Sequence, residues 1–186
     1  MTDARDPGWR PAIVGGILGL VPLVGSGLVR RSKNSLLLLR QLWVTFTTAL
    51  VLVGVVVFVL RSALDGGGID GRIVAAVVIV VGVATQVVAP RFLPTVAGNT
   101  DAEVRRAAAR GVFLRIALAE SVALMAFVGV IVSGNAGIYV LGFVIGITGM
   151  MDAAPTAAWL DRAQQQLRES GSSVDVLSAM TGGGPD

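Results

Sequence analysis

The chain has 186 residues, 54% of them hydrophobic and 15% charged, with a formal net charge of +3. Soluble domains carry about 25% charge, and a chain this short cannot bury so much apolar content in a core of its own, which excludes a freely soluble globular fold. It has no Cys and no His, so disulfides, thiol chemistry and the commonest transition-metal ligands are removed together.

Of the 15 basic residues only Lys33 is a lysine. That bias, with abundant Ala, Val and Gly, is the signature of a GC-rich genome and points to a bacterial source. The basic residues flank apolar blocks, where membrane topology uses them. No nucleic-acid partner is inferred from them.

In chain order, the first apolar stretch is 12–29. It holds five Gly and Pro22. It admits four readings: a poor spanning helix, a re-entrant or interfacial segment, an uncleaved targeting sequence, or a stretch upstream of the true translation start. A cleaved signal peptide fits less well, because Asp3 and Asp6 spoil its positive n-region.

Residues 42–60 carry no charge and are broken only by Thr45, Thr47 and Thr48. At 1.5 Å per residue they reach roughly 28 Å, close to the thickness of the hydrocarbon core. Residues 73–90 have Thr85 and Gln86 as their polar members. Both blocks are rich in Val, which favours strands locally, but their length demands helices. The third block, 111–132, contains Arg115 and Glu120, and the fourth, 136–154, carries Asp152 near its end. The turn Ser133-Gly134-Asn135 between them makes these two helices antiparallel neighbours.

The connections are polar. Residues 61–72 include three consecutive glycines, and Thr100 with Glu103 in the loop 91–110 makes a capping-box helix start that can run into the third span. After Pro155, residues 156–169 read as an amphipathic helix with Trp159 at the membrane interface. From Ser170 the tail reads as disordered. The fold class is therefore all-α, an integral membrane bundle of four transmembrane helices. An N-terminal segment 1–35 precedes the transmembrane domain 36–155, and a cytoplasmic helix and disordered tail, 156–186, follow it.

Charge sets the orientation. With four spans, ten basic residues outside the spans from Arg30 to Arg168 fall on one side and only Arg61 and Arg72 on the other. Both termini and the 91–110 loop are expected to be cytoplasmic, in a multi-pass protein of the bacterial inner membrane.

Glu120 stands out. It lies about nine residues into its span, hence roughly 13 Å deep. An ionised carboxylate there costs several kcal/mol, so it must be protonated, paired or beside water. Arg115 is roughly 140° away around the helix and can snorkel to the headgroups. Thr48, at similar depth on the first span, is the expected partner, with a backbone carbonyl as the other choice. Gly142, Gly146 and Gly149 form a small-residue face suited to close helix packing. Arg105, Arg106 and Arg110 are topogenic charges and candidates for anionic lipid headgroups.

The stretch Ala117-Leu118-Ala119-Glu120-Ser121-Val122-Ala123-Leu124-Met125-Ala126-Phe127-Val128 resembles the carboxylate-bearing helix of the proteolipid c subunit of rotary ATP synthases. The resemblance implies a proton- or ion-carrying role for Glu120. It covers a dozen residues. The glycine-repeat helix of that family would fall on 73–90, which has Gly82 as its one internal glycine, and 20 residues replace the family's short loop. A c subunit is therefore not expected. The chain also looks like the small, functionally uncharacterised four-helix bacterial membrane proteins that share an Ala-Glu-Ser/Ala third helix.

Neither a nucleophile–base pair nor a nucleotide fingerprint can be assembled, so no enzyme, metal or cofactor is expected. The expected function is an accessory or assembly subunit of a larger membrane complex. The alternative is a small proton- or ion-linked translocator that uses Glu120, as a homo-oligomer. The lipid bilayer is the common partner of both.

Overall fold

Short polar residues open most of the helices. Asp70 accepts from the Arg72 amide at 2.8 Å, Thr156 from Trp159 at 3.3 Å and Asp175 from Ser178 at 2.7 Å. Thr100 and Glu103 form the reciprocal box: Thr100 Oγ1 accepts from the Glu103 amide at 3.3 Å, and Glu103 Oε2 accepts from the Asn99 and Thr100 amides at 2.9 and 3.3 Å. The amides of Asn99 and Thr100 hold the Glu103 carboxyl below its usual range. In this computed structural model residues 6–19, 34–63, 68–93 and 95–182 are described, and no strand occurs among them.

The elements are α1 (Arg10–Gly19), α2 (Ser35–Leu60), α3 (Gly71–Val83), α4 (Asp101–Ser133), α5 (Gly137–Ala153), α6 (Ala157–Glu169) and α7 (Val176–Thr181). Helix α3 continues through a π-helical turn, Ala84–Val88, and a 3-10 turn, Ala89–Phe92. Pro90 explains this widening. It brings no amide to the Gln86 carbonyl and its ring crowds that oxygen, so the preceding turn relaxes outward.

Three helices, Ser35–Leu60, Gly71–Phe92 and Asp101–Ser133, are long and apolar enough to cross a membrane. A fourth is added if Gly137–Ala153 and Ala157–Glu169 count as one broken span. Helix α5 alone has 17 residues and stops two residues short of Pro155, as expected before a proline. Of the stretch 12–29, only residues up to Gly19 belong to a described helix, ten residues long; 20–33 lie outside the described residues.

The chain divides into two compact units. The apolar unit comprises 46–93 and 115–153. Its core joins Val57, Val78, Val122, Ala126, Val130, Ile138 and Tyr139, drawn from α2, α3, α4 and α5. The contacts give the topology. Gly142 meets Ala126, and Gly146 meets Ala119 and Ala123, so α4 and α5 run antiparallel. Gly82 meets Ile145, and Gly149 meets Gln86, so α3 and α5 run parallel.

The other unit comprises 1–45, 94–114 and 154–186. Here α1 lies close on α2. A Cβ on Gly16 would come within 2.7 Å of Val44 Cβ, and Thr45 Oγ1 donates to the Gly16 carbonyl at 3.0 Å. One expectation is corrected in this unit, that of a disordered tail. Trp159 is buried with Ala163 and Leu167 on the apolar face of α6. The tail after Ser170 is ordered as far as Gly182, because Val176, Ala179 and Met180 are buried and Gln164 binds the Val174 carbonyl and the Val176 amide, at 3.0 and 2.8 Å. Arg40, one of the ten basic residues counted on one side, is completely buried.

Candidate functional site

Glu120 lies in the apolar length of α4, at the edge of its packed seam. At 100° per residue, buried Ala123 is about 60° to one side and Leu124 about 40° to the other. Leu124, Val128 and Ile131 are all exposed, by 44, 56 and 48%. The carboxyl-bearing side chain is half-buried. Among the described residues it receives no hydrogen bond or ion pair, the expected one from Thr48 included. The expected pairing rests on a similar count of residues along each span, and such a count does not fix which way each helix face points. Thr48 is half-buried and has a partner of its own.

The glycine face is taken up within the unit. A Cβ on Gly142 would overlap that of Ala126, and one on Gly146 would lie 2.9 Å from the Ala119 carbonyl oxygen. Gly149 faces Gln86, which donates to the Ile145 carbonyl at 3.3 Å. Gln86 thus occupies a small-residue slot beside the π-helical turn, and Thr85 Oγ1 is within 2.9 Å of the Val81 and Gly82 carbonyls. The polar residues of this span are satisfied by backbone, leaving them unavailable to Glu120.

Arg105, Arg106 and Arg110 lie along the first turns of α4; Arg106 and Arg110 are exposed and Arg105 is half-buried. They are separated from Glu120 by at least ten positions, roughly 15 Å of helix, and make no common site with it.

Sequence reasoning missed the densest polar cluster. The Arg40 guanidinium forks onto the Asp6 carboxylate, with one arm at 2.9 Å, and also donates to the Gly8 and Pro155 carbonyls, both at 3.1 Å. Its carbon lies 5.0 Å from the centre of the Trp9 ring, which packs edge-on to Trp43 at 5.5 Å. The Arg40 hydrogen bonds hold the Asp6 carboxyl below its usual range. All five donors of an arginine need partners when buried, and this cluster supplies carboxylate, carbonyls and a ring face. It clamps residues 6–9 and Pro155 onto α2. Among the described residues no three His, Cys, Asp or Glu side chains gather as metal ligands.

The class defined by the fold is an all-α helical bundle with three or four helices long and apolar enough to cross a membrane, one of which carries Glu120. No protein-family model, curated protein or solved structure matches the chain.

Proposed function

We propose that the chain is a non-enzymatic accessory or assembly subunit of a larger membrane complex, seated against it by the flank of α4 that bears Glu120. One observation carries this reading: a carboxyl within an apolar helix has no polar partner among the described residues. A carboxylate left so in hydrocarbon costs several kcal/mol, and a donor on a neighbouring subunit would offset that cost. The glycine face is already occupied within the chain, whereas Leu124 and Val128 beside Glu120 are exposed. The setting proposed is the bacterial inner membrane, with both termini cytoplasmic and Arg105, Arg106 and Arg110 toward anionic headgroups.

The same free carboxyl also favours a second reading, a proton- or ion-linked translocator built from several copies of this chain. A photoreactive residue at Leu124 separates the two. The accessory reading expects a crosslink to one polypeptide other than this chain, with no such product from Val80, which is 66% exposed on α3. Crosslinking from Leu124 only to a second copy would contradict it. The translocator would then be tested by ion flux, which Glu120→Gln should abolish.

A further inference from the structure

Between α2 and α5 the apolar unit carries a groove of about 520 Å³, at the end where α2 gives way to Arg61 and α5 begins at Gly137. Its size falls in the range of small-molecule sites, roughly 300–1,000 Å³. Gly54 opens the α2 side by having no side chain, and Phe58, Val140 and Phe143 line the walls. Tyr139 forms the floor. Its hydroxyl donates to the Leu50 carbonyl at 2.6 Å, and its ring stacks on Phe143 with centroids 6.2 Å apart. The polar end of Tyr139 is thereby turned into the backbone of α2, and its ring is left to the groove.

Among the described residues lining the groove, Arg61 is the one charged side chain. Its guanidinium lies 4.2 Å from the centre of the Phe58 ring, just past the last residue of α2. The site is thus an apolar slot within the bundle with a cation at its mouth. Among the described lining residues no carboxylate competes for that cation. A guanidinium presents paired donors that match phosphate oxygens.

We propose that this groove holds one anionic phospholipid, an acyl chain lying over Tyr139 beside Gly54 and the phosphodiester bound by Arg61. A partner helix would fill the slot equally well, but only a negatively charged headgroup also uses Arg61, so charge complementarity selects the lipid.

The test is native mass spectrometry of the full chain, purified in mild detergent with equal amounts of phosphatidylglycerol and phosphatidylcholine. The unaltered protein is expected to retain one phosphatidylglycerol in roughly five-fold preference, the scale set by one basic residue at an anionic surface. Arg61→Gln should abolish the preference. Val140→Trp should remove retention of both lipids; position 140 is 61% exposed, so the larger ring enters the groove without disturbing the core. Helical content measured on both variants establishes that they are folded. Equal retention of the two lipids, a preference that survives Arg61→Gln, or a second polypeptide seated on the groove would each overturn the proposal.

Discussion

Asp6→Ala is expected to lower the stability of the folded protein by about 3 kcal/mol, the scale for removing one partner of a buried ion pair. The cost comes from what is left behind. Arg40 stays completely buried and charged, with two carbonyls and a ring face but no counter-charge. Asp6 itself is 40% exposed, so water screens part of the attraction and the effect belongs at the low end of the range. Asp6→Asn keeps a hydrogen-bond acceptor and should recover about half of the loss. Thermal unfolding in mild detergent measures both. The pH dependence follows from the depressed carboxyl. A group held below its unfolded value, here 3.8, contributes stability that is complete above that value and is lost as pH falls through the lower folded one. The difference between the native chain and Asp6→Ala should therefore be constant at neutral pH and vanish only in strong acid. A difference that already faded near pH 6 would place the stabilisation on another group.

The second large effect is expected at Gly142→Leu. The α4–α5 seam closes at this position with no room for a Cβ, because Ala126 occupies the space. A leucine forces the helix axes apart and opens the core around Val122 and Ala126, both fully buried. Overpacking of this kind costs about 1–3 kcal/mol, more when backbone rather than a flexible side chain must move. The upper end is expected, since the seam also brings Gly146 against the Ala119 carbonyl. Gly149→Ala should cost less, because the group it meets is the flexible amide of Gln86. If Gly142→Leu unfolded at the temperature of the native chain, the intramolecular role of the glycine face would be refuted.

The spans were legible because a bilayer fixes length: a run such as 42–60 fits the hydrocarbon thickness only as a helix. The Thr100–Glu103 start was legible because both partners of the box lie within one turn. What escaped depends on contacts between distant residues. Asp6 and Arg40 are 34 positions apart, and nothing local marks them as a pair. The order of the tail likewise depends on Gln164, ten and twelve positions from the groups it binds, so a polar composition read as disorder was stabilised by tertiary contact. Glu120 was identified by its chemistry alone, but pairing it with Thr48 used depth without azimuth. The groove at Arg61 has no linear motif, since Gly54 and Tyr139 meet only when α2 and α5 pack.

The central claim is that Glu120 needs a partner from another subunit. Native mass spectrometry of the tagged chain, extracted gently from its host's own membranes, tests this most directly. A stoichiometric complex with a different polypeptide is expected, retained in Glu120→Gln, where the amide preserves most hydrogen bonds, and lost in Glu120→Leu. A clean monomer, or a homo-oligomer indifferent to both substitutions, would contradict it.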